Sequence, residues 1–438
     1  MSTAVASTRE EPLQRRILAV LVLGQLLAGA GLAAGVTVGA LLAEDMLGGS
    51  ALSGLPAALF TGGSALAAVL VGKLSQARGR RPGLAAGFAF GALGAVGIVV
   101  ATAWENLPLL FLSFVIYGSG TATNLQARYA GADLASPAHR ARALSYVLLG
   151  TTAGAVAGPN LVGPTGVVAE GMGLAPLAGP FLLAALAYGS AALVISLLLR
   201  PDPLLEARRR AAADEAATAP SSSSPGSPSS PSSPSSPEAP LPVPSRIWTG
   251  EVITGVVVMA LTQFVMVGLM TMTPVHMRAH DHAVTVVGLV ISLHVAAMFL
   301  PAPLSGWLVD KYGTRAVSIS AGIVLLVSGV MAAVSPPENT LLITIALILL
   351  GVGWSLGLVA GTTVLASAVP MAVRASVQGQ ADVAVALAGA AGGLLSGLVF
   401  AWIDFRGLGF WLAALSLIVV AAVRPRKGRE LQRQTVGV

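Results

Sequence analysis

The stretch Gly72-Lys73-Leu74-Ser75-Gln76-Ala77-Arg78-Gly79-Arg80-Arg81 has a second version, Gly306-Trp307-Leu308-Val309-Asp310-Lys311-Tyr312-Gly313-Thr314-Arg315. Each copy closes one long apolar run and opens the next. Counting outward, the first copy follows the second apolar run and the other follows the eighth. A turn repeated at that interval divides the chain into two related membrane half-domains of six helices each.

The rest of the composition agrees. The 438 residues are 55% hydrophobic and 10% charged, with a mean hydropathy of +0.81. So little charge does not cover a soluble particle of this size, and the lipid bilayer is the expected partner. Cysteine is absent, which excludes a disulfide framework and a thiolate metal site. A hydrocarbon core about 30 Å thick takes roughly 20 apolar residues per helix. Twelve stretches qualify: Ile17–Leu42, Leu52–Ser75, Gly83–Trp104, Leu107–Ala130, Ala143–Thr165, Leu177–Leu199, Ile247–Met270, Val284–Val309, Val317–Val334, Leu341–Val364, Val377–Trp402 and Gly407–Val423. The fold class is therefore an all-α membrane protein of twelve transmembrane helices.

The net charge of +6 and pI near 10.2 raise the question of nucleic acid. Placement answers it. Of the 25 Lys and Arg, all but Arg278 and Arg406 fall on one side of the twelve-span arrangement. That bias predicts a cytoplasmic location for both termini, and no nucleic-acid partner is expected. Arg15-Arg16 ahead of an apolar run suggests a signal peptide, but the run is too long for one and is read as span 1.

The resulting organisation is an N-terminal tail (1–16), a six-helix bundle (17–200), a cytoplasmic linker (201–246), a second six-helix bundle (247–423) and a basic tail (424–438). Within the linker, Ser221 to Pro237 is almost wholly Ser and Pro, so the whole segment 201–246 is expected to be disordered. Neither Gly-x-x-x-x-Gly-Lys-[Ser/Thr] nor His-Glu-x-x-His occurs. No catalytic residues, no enzyme activity and no cofactor are expected, and energy would come from a gradient or from the solute.

The two turns resemble the cytoplasmic-turn motif of the major facilitator superfamily (MFS), Gly-x-x-x-Asp-Arg/Lys-x-Gly-Arg-Arg/Lys. Gly72, Gly79, Arg80 and Arg81 match in the first half; Gly306, Asp310, Lys311, Gly313 and Arg315 match in the second. The resemblance implies the MFS fold, two bundles rocking about a central solute cavity, in a monomer of a bacterial-type cytoplasmic membrane. In the first copy Gln76 replaces the motif's Asp. An amide accepts hydrogen bonds from a helix N-terminus but lacks the charge–dipole attraction, so a weaker first latch is expected. The resemblance also pairs Arg80 with Asp133 at the end of span 4, as a gating contact expected to be exposed and worth under about 1 kcal/mol.

Span 5 carries Gly150, Gly154, Gly158, Pro159 and Gly163. Four-residue spacing lines the glycines up for close helix contact, and Pro159 removes a backbone donor. Ordinary tight packing explains such a run; its likeness to the antiporter motif of the superfamily implies an exporter. Gly389, Gly392, Gly393, Ser396 and Gly397 form a second stripe on span 11. The superfamily's fold sets helices 5 and 8, and 2 and 11, against each other between the halves, where glycine faces would slide.

Several polar residues are candidates for the cavity. Tyr117, Thr121, Asn124 and Arg128 share one face of span 4, which lipid would penalise. For Arg128 the alternative is snorkelling to the interface. Phe114 stands near the place of the superfamily's usual helix-4 arginine, so that role is not carried over. Met259, Gln263, Met266 and Met270 share a face of span 7 with Thr273; core packing is the alternative. Trp354 and Gln25 are weaker candidates, and an amphipathic or apolar solute suits such a lining.

Asp382, one turn after Gln378, and His294 are candidates for proton coupling, with hydrogen-bonded structural roles as the alternative. Glu44 and Asp45 are read as solvated, and Glu251 as a partner of the positive end of span 7. His276, His280 and His282 lie in a short outer loop beside Arg278, and no metal site is expected there. The combined expectation is a proton-driven exporter. The alternatives are an importer or proton symporter on the same fold, and a receptor or scaffold that binds without transport.

Overall fold

The computed structural model describes residues 12–31, 42, 55–218 and 247–423. The expectations for Glu44, Asp45, Ser221–Pro237 and the basic tail lie outside the described residues.

Thirteen α-helices are described: α1 (Pro12–Gly31), α2 (Leu55–Arg78), α3 (Arg80–Ala103), α4 (Leu107–Ala132), α5 (Arg140–Ala157), α6 (Val162–Gly171), α7 (Gly179–Leu198), α8 (Pro203–Thr218), α9 (Gly250–Ala279), α10 (Val284–Phe299), α11 (Ala302–Val334), α12 (Thr340–Ala368) and α13 (Arg374–Ala422). Eight segments are long and apolar enough to cross a membrane by length and composition. Two of the eight are pairs of spans, since α11 breaks at Gly313 and α13 breaks at Ile403 and Asp404. With α4 and the α5–α6 pair, the twelve spans of the MFS fold are complete.

The repeat is visible in local chemistry. Gly79 (φ 99°) and Gly313 (φ 86°) occupy backbone conformations that a side chain disfavours, which lets each turn reverse the chain in one residue. Asn106 then caps α4 by accepting from Leu109 N at 2.9 Å, and Asn339 caps α12 by accepting from Leu342 N at 3.1 Å. Such caps satisfy amides that the helix itself leaves unpaired. Each half has its own apolar core, and the second core also takes in Tyr129, Ala141, Leu144 and Leu148 from the first half. The halves therefore meet through α4 and α5, and α2 packs on α13 across the same seam. Leu66, Leu70, Phe90, Leu186 and Leu394 point outward, as lipid-facing positions should.

Three expected boundaries shift. The single span Ala143–Thr165 is instead α5, a 3₁₀ turn over Gly158–Leu161, and α6; Pro159 lacks the amide that would continue the α ladder. The seventh span runs on to Ala279, so His276 and Arg278 belong to a helix end and not to a loop. The largest correction is α8, which occupies the first part of the segment expected to be disordered. Asp202 accepts from Leu204 N (3.0 Å) and Leu205 N (3.2 Å) at its start, and Leu204 and Ala207 are buried. Glu206 pairs with Arg209 and Arg210 one turn on. Composition hid this helix beside the Ser/Pro tract.

Candidate functional site

The face that carries both turns, here the basic face, is where the halves are bonded together. Arg80 Nε lies 2.8 Å from Asp133 Oδ2, as expected, but the pair is buried and not exposed. Arg80 Nη2 also donates to Gln378 Oε1 at 2.6 Å, which extends the contact into α13 of the other half. A buried pair answers to different energetics: breaking it leaves an uncompensated charge.

Gln76 spans the same seam. Its Oε1 accepts from Ala375 N at 2.8 Å, while its Nε2 donates to Met371 O at 3.3 Å and to Ala372 O. An aspartate here would make only the first of these bonds. The loss of charge is thus accompanied by two donor bonds that the weaker-latch expectation did not include. In the second copy Asp310 caps α5, accepting from Ala141 N (3.0 Å), Arg142 N (3.1 Å) and Arg142 Nε (3.0 Å).

The motif's first glycine matters for space in both copies. A Cβ on Gly72 would stand 2.9 Å from Ala375 O, and one on Gly306 would stand 2.7 Å from Ala141 O. The remaining motif residues do not cross the seam. Arg81 donates its amide to Asp202 Oδ2 at 2.7 Å, and Lys311 Nζ lies over the rings of Trp307 and Tyr312. Arg315 lines a separate cavity of about 830 Å³ inside the second half, with Glu251.

Deeper in, the structure joins two residues that the sequence reading kept apart. Arg128 Nη2 lies 2.7 Å from Asp382 Oδ1, with side chains 0% and 2% exposed. Arg128 therefore does not snorkel. Its Nε donates to Thr362 at 3.1 Å, its Nη1 to Leu125 O, and its Nη2 also to the Tyr129 hydroxyl at 3.1 Å. Tyr129 donates in turn to Asp382 Oδ1 at 3.3 Å. Asp382 Oδ2 has no hydrogen-bond partner among the described residues. Asp382 is eight residues into α13, so at about 1.5 Å per residue the pair lies roughly 12 Å inside the helix start.

The other candidates fall in two groups. In the first half, Gln25 Nε2 donates to Asn124 O (2.8 Å) and Thr151 Oγ1 (3.1 Å), and the Tyr117 hydroxyl donates to Gly31 O. Thr121, half-buried, is on the same helix, α4. In the second half, Trp354 Nε1 donates to Gln263 Oε1 at 2.7 Å, and Met259 Sδ is 4.0 Å from Thr362 Oγ1. Met266 is buried in the core of that half, with Met270 packed against it. His294 is not beside Asp382: its Nδ1 donates to Leu347 O at 2.7 Å, between α10 and α12.

The glycine stripes serve a different contact from the one expected. Gly150 and Gly154 pack on α1, within the first half, where a Cβ on Gly150 would stand 2.8 Å from Val22 O. Gly389, Gly392 and Gly393 pack on α9, within the second half, while Gly163 and Gly397 have no heavy atom near enough to matter. Gly158 and Pro159 form the 3₁₀ turn. The faces that meet between halves are Gly72 against Gly379, and Gly306 against Ala141 and Ser145. Among the described residues no cluster of His, Cys, Asp or Glu is arranged to hold a metal. His276 stacks on Phe405 at 4.1 Å, and His280 and His282 donate to the carbonyls of His276 and Pro337.

A family model of the Major Facilitator Superfamily matches residues 21–392, and again 277–436. The chain belongs to the major facilitator superfamily. It is 48% identical over 429 residues to the uncharacterized MFS-type transporter YdeG of Bacillus subtilis strain 168, covering 96% of this chain and 94% of that one. It is 28% identical over 376 residues to the riboflavin transporter RfnT of Brucella anthropi, covering 84% and 85%. Among solved structures it is similar in fold to the human organic anion transporter MFSD10, with a TM-score of 0.72 at 20% identity over 94% of this chain and 99% of that one. The proton:xylose symporter XylE gives 0.69 at 14% identity, over 94% and 95%. As a member of the superfamily, the protein is a multi-pass membrane transporter that carries a small solute by secondary transport.

Proposed function

We propose that the protein is a proton-coupled exporter of a small amphipathic or apolar solute, with its basic face and both termini in the cytoplasm. The observation that carries this reading is the bond between Arg128 and Asp382. It joins the two halves near the face at which they are closed. Asp382 Oδ1 holds the arginine, while Oδ2 is without a partner among the described residues and is open to a proton. A proton on Asp382 removes the counter-charge of Arg128 and leaves a buried cation unpaired, a state that favours parting of the halves on that face.

The cycle follows from that switch. With the closed basic face taken as cytoplasmic, the cycle starts from an outward-facing state. Protonation of Asp382 from outside breaks the bond to Arg128, and the cytoplasmic side opens. Proton loss to the cytoplasm and solute binding there restore the bond, and the loaded transporter turns outward. The bias of Lys and Arg to one face supports the orientation. The interior polar groups, Gln25, Asn124, Gln263 and Trp354, are uncharged, which suits a neutral or weakly polar solute.

A resistance and accumulation screen in cells with and without the protein identifies the solute; riboflavin is a reasoned first compound because of the Brucella relative. Flux in proteoliposomes under an imposed pH gradient then gives direction and coupling. Solute movement opposite to the proton, lost in Asp382→Asn, is the expected result. Movement with the proton makes the protein a symporter, and gradient-independent movement removes Asp382 from the cycle.

A further inference from the structure

Tyr129 has no part in the cycle above, yet it touches two of the ion pairs at the seam, Arg80–Asp133 and Arg128–Asp382. Its side chain is fully buried. The hydroxyl accepts from Arg128 Nη2 at 3.1 Å and donates to Asp382 Oδ1 at 3.3 Å. The ring receives two guanidinium groups: that of Arg128 at 4.4 Å from its centroid, and that of Arg80 at 5.9 Å. Both lie within the roughly 6 Å over which a cation is attracted to an aromatic face, an attraction that grows when water is excluded.

Resting on the proton-coupled reading, we propose that Tyr129 is the positioning residue that transmits the charge of Asp382 to the Arg80–Asp133–Gln378 latch. Arg140, Arg208 and Arg374 also act on Asp133; the four groups of the two pairs, cations Arg80 and Arg128 and anions Asp133 and Asp382, form a set that is neutral by itself. A proton on Asp382 leaves it with one uncompensated positive charge. With the proton on Oδ2, the phenol keeps Oδ1 only as a neutral carbonyl acceptor, a weaker partner than the carboxylate. Two like charges then share one ring, and the strain is relieved when Arg80 gives up Gln378 or Arg128 gives up Thr362. Either departure breaks a bond between the halves.

Among the described residues no other titratable group acts on Asp382. The groups that act on Asp382 are Arg128 and Tyr129 from α4 and Arg80 from α3. On α13 itself the neighbour one turn away is Gln378. Where α2 packs on this stretch it presents Ala68 and Gly72, and α9 presents Gln263 further along, none of which titrates. From α12, Thr362 reaches Arg128 through its hydroxyl.

The chain has no cysteine, so spin labels placed at Ala77→Cys and Ala316→Cys, exposed on the basic face of each half, report their separation against an empty background. In nanodiscs the wild-type distance is expected to lengthen as pH falls, and Asp382→Asn to be indifferent to pH. Tyr129→Phe keeps the ring under both guanidiniums and removes one donor from Asp382. Its opening midpoint is expected to move to higher pH by about half to one unit, a three- to tenfold change in proton affinity. Tyr129→Leu, which removes the ring as well, is expected to lower the closed fraction at high pH at least about threefold, as loss of the two cation–π contacts requires. If Tyr129→Phe retraces the wild-type curve while Asp382→Asn stays flat, the side chain only packs and the proposal is overturned alone. If the wild type itself ignores pH, the proton reading fails and takes this proposal with it.

Discussion

Arg128 Nη2 sits 2.7 Å from Asp382 Oδ1, so α4 of one half and α13 of the other are joined by an ion pair with neither side chain more than 2% exposed. Removing one partner of such a pair costs about 3–5 kcal/mol, because the other charge stays buried; removing both is often close to neutral. Arg128→Met and Asp382→Leu should each lower the thermal midpoint in detergent, and the double variant should recover most of the loss. Additive losses in that double-mutant cycle would show that the two side chains act separately.

Gln76→Asp restores the motif's acid and tests what the amide does. The variant keeps the acceptor for Ala375 N and gains charge at a helix start, but it turns two donor bonds into contacts between a carboxylate and the carbonyls of Met371 and Ala372. Lost bonds that leave buried acceptors unpaired cost about 1–3 kcal/mol, more than the 0.3–1 kcal/mol of a charge at a helix end. The closed fraction at the basic face, read by spin-label distance, should fall in Gln76→Asp. A rise would mean that the charge outweighs the bonds and that the first latch is the weaker one.

Gly72 and Gly306 hold the seam by having no side chain. Gly72→Val and Gly306→Val should each prop the basic face apart, since a Cβ there stands within 3 Å of a backbone oxygen across the seam. Gly163→Val is the control, with no heavy atom of the described residues within 4 Å of its Cβ. Protection of the basic-face amides from hydrogen exchange should drop in the first two variants and not in the third. Equal behaviour of all three would remove the close-approach argument.

The helix α8 is docked by Arg208, which donates to Gln76 O at 3.0 Å, and its first turn is held by Asp202 and Glu206. Burial works to raise the Glu206 carboxyl, but Arg210 and Arg209 outweigh it and hold the group below the ordinary glutamate value. A depressed carboxyl stabilises the folded helix above the unfolded value of 4.5, and that contribution is lost as pH falls through the lower folded value. With Arg209 largely in solvent, the effect should be under about 1 kcal/mol. A fluorophore on Leu205→Cys should report loosening below pH 4.5, and Glu206→Gln should already be loose at neutral pH. Identical traces for both proteins would exclude this anchor.

Much of this was legible in the residues. The doubled turn, the charge bias and the apolar runs define two six-helix halves because each is a local pattern tied to one physical constraint. The partners were harder to see. Arg128 and Asp382 are far apart in sequence, and only the packing of α4 on α13 brings them together. A signal was present nonetheless: the interval between Gly72 and Gly306, applied to Arg128, lands on Thr362, the residue that Arg128 reaches across the seam. Tyr129 carries no pattern of its own, being one aromatic residue in an apolar helix. The glycine runs of spans 5 and 11 announce close contact but not with which neighbour, and the contact proves to lie within each half. The helix α8 was masked by the Ser/Pro tract that follows it, although Asp202-Pro203 is a helix start.

One carboxyl group, that of Asp382, is proposed to decide whether the basic face is open. The most direct measurement is the distance between spin labels at Ala77→Cys and Ala316→Cys, followed from pH 9 to pH 5 in wild type and Asp382→Asn. In the wild type a short distance at high pH that lengthens on acidification is expected, and in Asp382→Asn a long, pH-independent distance. A wild-type distance that does not change with pH, or an Asp382→Asn variant that still closes at high pH, would contradict it.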